Sequence, residues 1–522
     1  MYQNDSTPTL DSTPTLTPDR HVQIAIAGAG FSGLGMAMAL KKQGIDDFVV
    51  LERAGDLGGT WRDNTYPGCA CDIPSLLYSW TDEQNPHWSR AFAPQQEIWD
   101  YMRDVVARHE IADHLRFDHE VLGIRWDDEQ ARWEIETSQG KLTADVAIAA
   151  VGALADPAIP SLPGLETFKG NVFHSARWDH ADDLEGKQVA VVGTGASAIQ
   201  FVPEIQPQVK RLHLFQRTPP WVLPRPEMPI PRRWRRAFER HPRLLHTGRR
   251  ALFSLYESFH VMFSHPRLSR LNERAARRQI AAQVPDPALR EQLTPSYRLG
   301  CKRILGSNTW YPAITADNVE IVSAGLERIT PDGIIDADGV EHRADTIIFG
   351  TGFQVTDPPI SYRVYGRDGA TLAETWNGSP KAHLGVDVAG YPNFFLLLGP
   401  NTGLGHNSVL LMIEAQVDYV MQALAYRARH GIASIEPRPE AQARFIAAVE
   451  EGTKGSVWTA GGCVSWYLDS TGRNSTLWPG SVRAYQRLLK KFEPADYRVE
   501  LPTPSRPTRV TTPPGLPAPV PA

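Results

Sequence analysis

Two glycine-rich runs stand out as places where chemistry can be held: Gly28-Ala29-Gly30-Phe31-Ser32-Gly33 and Gly193-Thr194-Gly195-Ala196-Ser197-Ala198. Each ends a short apolar stretch, His21 to Ala27 and Gln188 to Val192, and opens a helical pattern. Glycines there let the backbone close tightly against a pyrophosphate, whose charge the free N–H groups and dipole of a helix N-terminus stabilise. The second run ends in Ala198 where the first has Gly33, a tolerated exchange.

The two units differ at the end of their next strand. The first strand, Asp47 to Leu51, ends in Glu52, an acid that accepts hydrogen bonds from an adenosine ribose and disfavours a 2′-phosphate. The second, Arg211 to Phe215, ends in Gln216-Arg217, and a guanidinium offers phosphate oxygens a bidentate fork. The strand ends therefore predict FAD in the first unit and NADPH in the second. Two dinucleotides in one chain point to flavin reduction followed by oxygen chemistry.

The 522 residues are enough for two or three domains. The patterns divide the chain into a disordered leader (1–20, with Asp-Ser-Thr-Pro-Thr-Leu repeated over 5–16), a first FAD part (21–155), a first NADP part (156–224), a helical insertion (225–300), a second NADP part (301–353), a second FAD part (354–500) and a Pro-rich disordered tail (501–522). The fold class is α/β, with two Rossmann-like dinucleotide-binding domains and the helical insertion. Val121 to Trp126 and Trp133 to Glu136 predict a hairpin, Ala144 to Gly152 a returning strand, and Val319 to Ser323, Gly333 to Asp336, Asp345 to Phe349 and Phe394 to Leu398 further strands. Two of these run into the glycine-rich loops 350–353 and 399–407, where open α/β sheets bind ligands. Leu411 to His430 predicts a long helix, and Gly58 to Asp72, dense in glycine and aromatics, predicts a loop along a cofactor.

Formal net charge is -5, which gives no reason to expect nucleic acid or an anionic membrane as the main partner. The basic run Arg232-Arg233-Trp234-Arg235-Arg236 reads as the solvated face of a helix, and Phe253, Leu255, Phe259, Met262 and Phe263 as core or pocket wall. The four cysteines, Cys69, Cys71, Cys301 and Cys463, make no disulfide framework and no metal motif; Cys69 and Cys71 read as bystanders, and no metal site is expected. A reducing cytoplasm fits, with no signal-peptide pattern and no membrane span. Oligomeric state is left open between monomer and dimer.

Between the two glycine loops lies Phe168-Lys169-Gly170-Asn171-Val172-Phe173-His174-Ser175-Ala176-Arg177-Trp178-Asp179, which reads as the joint between the cofactor domains. Phe168, Gly170, His174, Trp178 and Asp179 fit the pattern F-x-G-x-x-x-H-x-x-x-W-[P/D], and Gly59, Trp61, Tyr66, Pro67, Gly68 and Asp72 fit G-x-W-x-x-x-x-Y-P-G-x-x-x-D. Over residues 21 to 495 the chain resembles the type I Baeyer–Villiger monooxygenases, which are class B flavoprotein monooxygenases. It departs from the cyclohexanone-type members at Ala70 and in the loop Asn401 to Asn407, both of which bear on substrate range.

The resemblance implies FAD, NADPH, O2 and a ketone as the small-molecule partners, and insertion of one oxygen beside the carbonyl, by way of a C4a-peroxyflavin, to give an ester or lactone. It places the active-site arginine at Arg303, the acid that orients it at Asp72, and the phosphate-reading pair at Arg217 and Lys302. Gly59, Thr60, Trp61, Tyr78, Val121 and Gly352 complete the expected cofactor contacts. His174 is expected to act as a hinge or hydrogen-bonding residue rather than a catalyst. A heteroatom oxygenase making sulfoxides or N-oxides is the alternative, disfavoured by Trp178-Asp179. The alternative of another class is a non-catalytic FAD- and NADP-binding redox sensor.

Overall fold

The computed structural model describes residues 20–265 and 269–502, so the expected leader and most of the tail lie outside the described residues. The first sheet is built on the strand Arg20–Ala27, which lies between Gly140–Ala149 and Phe48–Leu51 and runs parallel to both. Nearly every residue of its second half is buried, because the strand is covered on both faces; its sequence is accordingly a continuous apolar run rather than an alternating one. Leu115–Arg116 extends the sheet on one side. On the other, Arg132–Thr137 and Val121–Asp127 pair antiparallel as the expected hairpin, followed by Val364–Tyr365, and Phe394–Leu396 returns to pair with Gly140–Ala149.

The second sheet is parallel throughout, in the order Val319–Val322, Arg211–Phe215, Gln188–Val192, Thr346–Phe349, Asn171–His174. A small antiparallel sheet, Leu326–Thr330, Gly333–Asp336 and Glu341–Arg343, connects two of its strands. The fold is thus α/β with two Rossmann-like sheets. Their turns repeat one geometry: Gly28 and Gly193 both have φ +105°, and an added Cβ would lie 2.7 Å from the Ala150 carbonyl oxygen in one and 2.5 Å from the Gly350 oxygen in the other. Only glycine satisfies both the backbone angle and the contact.

The stretch read as a joint is an edge strand of the second sheet, with His174 in register with Phe349. Phe168 packs with that sheet's core, and the Trp178 ring lies 5.2 Å from Phe173 and 5.3 Å from Phe201. A Cβ on Gly170 would meet the Asp345 carbonyl oxygen at 2.1 Å. The fingerprint residues therefore fix the entry of the chain into this sheet.

Five helices follow: Arg232–Arg240, Pro242–Ser258, His260–Ser264, Ser269–Gln283 and Pro287–Gln292. No residue of Arg232–Arg240 is buried. Phe263 is core, stacked on Trp458, but Leu255 and Phe259 are solvent-exposed, against the expectation of core or pocket wall, since the helix turns that side outward. The long helix spans Leu410–Arg429 and packs on Phe31–Lys42. Among the described residues no helix is long and apolar enough to cross a membrane.

One cysteine expectation is overturned. Cys301 and Cys463, 162 residues apart, are joined by a disulfide, which sequence spacing does not reveal. Cys69 and Cys71, read as bystanders, are free and buried. Burial pushes the Cys69 thiol up to about 12 and the Cys71 thiol higher still, so neither is a reactive thiolate.

Candidate active site

One cavity of about 1380 Å3 runs along both glycine turns. It exceeds the roughly 300–1,000 Å3 of a site for one small ligand. Gly28, Gly30, Phe31, Ser32, Glu52, Gly59, Thr60, Trp61, Asp72, Tyr78 and Val121 line it from the first unit, and Gly193, Thr194, Gly195, Ala196, Ser197, Arg217, Lys302, Arg303 and Gly352 from the second.

Three expected cofactor contacts stand elsewhere. Gly33 lies behind the first turn, where a Cβ would meet the Gly28 oxygen at 1.9 Å, so its glycine seats the helix against the turn. Ala198 is buried at the start of the helix Ala198–Ile205. Gln216 is buried away from the cavity while Phe215 and Arg217 line it, because successive side chains alternate across an extended chain. His174, Phe168, Gly170, Trp178 and Asp179 do not line it either.

The first turn is prepared for a dinucleotide. Glu52 accepts from the Ala29 and Ala54 backbone N–H groups, at 2.9 and 3.1 Å, and from Arg62 at 2.9 Å. A carboxylate has about four acceptor positions, so capacity is left for a ribose hydroxyl. The segment Thr60–Asp63, expected to be loop, forms one turn of helix started by Gly59 at φ +53°. Trp61 Nε1 donates to the Tyr78 hydroxyl at 3.1 Å, and Tyr78 packs edge-on against Phe31, making an aromatic wall.

The second unit carries the complementary charge. Arg217 and Lys302 face the cavity with no acidic ion-pair partner among the described residues. Burial, and then the charge of Arg217, hold the Lys302 amine below its ordinary range. Two cations sharing one wall repel until an anion arrives, which suits a 2′-phosphate.

The two units meet at Arg303 and Asp72. Arg303 Nε donates to Asp72 Oδ2 at 2.6 Å and Nη2 to Oδ1 at 2.7 Å, a bidentate pair between loops 231 residues apart. Burial alone would raise the Asp72 carboxyl, but the Arg303 charge and hydrogen bonds outweigh it and hold the group below the usual carboxylate range. The Asp72 charge in turn pushes Arg303 up against its burial. At neutral pH the pair is fully ionised.

Several participants carry no signal in the sequence. Gln200, in the helix after the second turn, accepts from the Tyr66 hydroxyl at 3.0 Å and the Ala70 N–H at 3.2 Å and donates to the Ala70 carbonyl at 3.0 Å, tying the loop that carries Asp72 to the second unit. Arg225 holds the Cys71 carbonyl at 2.8 Å. Tyr467 is buried beside Arg303, its hydroxyl pushed up to about 12 by burial with the Arg303 charge opposing. None has a motif to mark it; each is identified by what it touches. His174 is buried, and its Nδ1 accepts from the Ala176 N–H at 3.1 Å. Burial pushes its pKa down to about 4, so the ring is neutral near pH 7.

Comparison with known proteins agrees with this geometry. The family described as "Flavin-binding monooxygenase-like" matches residues 21–231. Baeyer-Villiger monooxygenases of Streptomyces coelicolor and Pseudomonas aeruginosa are 50% and 45% identical to the chain, over 93% and 94% of it and 94% of each relative. Among solved structures, cyclohexanone monooxygenase from Rhodococcus sp. Phi1 bound to NADP+ superposes with a TM-score of 0.83 at 27% identity, covering 93% of this chain and 100% of the other. An oxidized steroid monooxygenase bound to NADP gives 0.81 at 29%, covering 92% and 99%. With two cofactor turns on one cavity, an arginine fixed where they meet, and relatives of this identity along almost its whole length, the chain belongs to the Baeyer-Villiger monooxygenases.

Proposed function

We propose that Arg303, held by Asp72, is the charge at the reacting centre of an NADPH- and O2-dependent flavin monooxygenase that converts a ketone to an ester or lactone. The observation that carries this assignment is the bidentate pair at 2.6 and 2.7 Å on the wall shared by the two nucleotide turns. Bound FAD, reduced by NADPH and exposed to O2, supplies the oxygen-transfer chemistry.

The protein's own groups do the rest. The N–H groups of the Gly28 and Gly193 turns bind the two pyrophosphates, Glu52 binds a ribose, and Arg217 with Lys302 binds the 2′-phosphate. Arg303 cannot lose its proton in the working pH range, so its charge stabilises the negative charge that develops where the carbonyl is attacked. Asp72 fixes the direction of that charge. Leu397, Leu404, Leu410 and Ile413 add apolar wall to the cavity, which limits water and which ketone fits.

The test is product analysis with the FAD-loaded enzyme, NADPH and 18O2 on a panel of linear, cyclic and aryl ketones with one thioether. Esters or lactones carrying a single labelled oxygen are expected, and their loss in Arg303→Ala with FAD still bound. Labelled sulfoxide as the sole product would replace the reading with a heteroatom oxygenase. Undiminished ester formation by Arg303→Ala would remove the arginine from the role.

A further inference from the structure

Away from the cavity, three side chains distant in sequence converge. His213 comes from the strand Arg211–Phe215, Glu320 from the neighbouring Val319–Val322, where it is the in-register partner of His213, and His342 from Glu341–Arg343 of the small sheet. His213 Nδ1 lies 2.9 Å and His342 Nδ1 3.9 Å from the same atom, Glu320 Oε2. All three atoms are within 4.8 Å of one another. The imidazoles are 7% and 5% exposed, while the Glu320 side chain is 39% exposed and leaves a way in from solvent.

The hydrogen bonds around His342 fix what its inner nitrogen presents. Its Nε2 lies 2.9 Å from Asp336 Oδ2, and Asp336 is itself held by the N–H groups of Asp338 and Val340 at 3.0 and 2.9 Å. A carboxylate only accepts, so Nε2 is the donor in this contact. That leaves the His342 Nδ1 lone pair facing Glu320 Oε2 at 3.9 Å, the same oxygen that is hydrogen-bonded to His213 Nδ1 at 2.9 Å. A cation fits between such groups, and a carboxylate behind a histidine is the usual device for orienting a metal-bound imidazole.

We infer that His213, Glu320 and His342 form a binding site for a divalent first-row transition ion, Zn2+ above all, with Asp336 orienting His342. Two imidazoles and one carboxylate suit that ion, with water as the fourth ligand. Tetrahedral ligand bonds of about 2.0–2.2 Å set the ligand atoms about 3.4 Å apart, so the His213–Glu320 contact lengthens and the His342–Glu320 contact shortens by roughly 0.5 Å each when an ion enters. As a ligand His213 presents Nδ1 without a proton, exchanging its hydrogen bond to Glu320 for the ion and keeping its proton on Nε2. Arg211 Nη2 donates to the same Glu320 oxygen at 3.2 Å. It competes for the site, and its 40% exposure lets it turn outward when an ion enters. A bound ion would clamp the small sheet to the strand that presents Arg217 four residues later.

The test uses the full-length FAD-loaded protein with its affinity tag removed, stripped with chelator and titrated with ZnCl2 in a calorimeter and with CoCl2 in the visible spectrum. Expected are one saturable Zn2+ per chain and the d–d bands of cobalt in a low-coordinate nitrogen and oxygen site. His213→Gln and His342→Gln should each weaken Zn2+ at least tenfold, and Asp336→Asn roughly 10- to 100-fold, with the flavin spectrum unchanged as the check on folding. Absence of saturable binding in the wild-type protein overturns the inference without reference to any variant. So does binding that is undiminished in the two histidine variants.

Discussion

Replacing Asp72 by Asn tests the arrangement at the reacting centre with almost no change of shape. Asn keeps one carbonyl acceptor but turns an NH2 group toward a guanidinium N–H, so one of the two bonds, 2.6 and 2.7 Å long, is lost along with the negative charge. A hydrogen bond to a charged group contributes about 1.5–3 kcal/mol. The side chains of Arg303 and Asp72 are 29% and 38% exposed, and the screening this permits places the loss at about 1–2 kcal/mol. That corresponds to roughly a 5- to 30-fold drop in the rate of ester formation. The assay measures ester, NADPH consumed and hydrogen peroxide released in the same reaction, with the flavin spectrum confirming that FAD is bound. Ester formation should fall while NADPH consumption continues, with peroxide making up the difference. Rates of all three within twofold of wild type would refute the positioning role of Asp72.

Arg217→Ala should raise the KM for NADPH roughly tenfold or more and leave that for NADH nearly unchanged, because only NADPH carries the phosphate; equal shifts would place the phosphate elsewhere. Burial pushes the Asp387 carboxyl up to about 8, with the Tyr497 hydroxyl, donating at 2.7 Å, opposing. An unfolded Asp ionises near pH 4 whereas the folded one keeps its proton to about 8, so this group makes stability fall as pH rises through that window, by at most about 1.4 kcal/mol per unit. Denaturant melts of Asp387→Asn should lack that component, and a pH profile identical to wild type would rule it out. His174→Ala should retain FAD and oxidise NADPH but give less ester per NADPH, because the ring anchors the turn at Ala176; normal coupling would contradict this.

Local sequence determined the cofactor turns. A strand ending in glycine and opening a helix needs only a few consecutive residues, so both turns, and the acid and the cation at Glu52 and Arg217, were legible directly. The apolar runs and their spacing likewise marked the hairpin and the long helix, because backbone periodicity is written along the chain. Asp72 and Arg303 were identified only through family resemblance, since nothing in their own surroundings states that they meet across 231 residues. The tertiary structure alone decided that Gln216 turns away from the cavity, that the fingerprint residues build a sheet edge, that Cys301 bonds Cys463, and that His213, Glu320 and His342 converge. The reason is the same in each case. Side-chain contacts between separate strands and loops depend on how the sheets pack and which face each residue takes, and that information is carried by the whole chain rather than by any stretch of it.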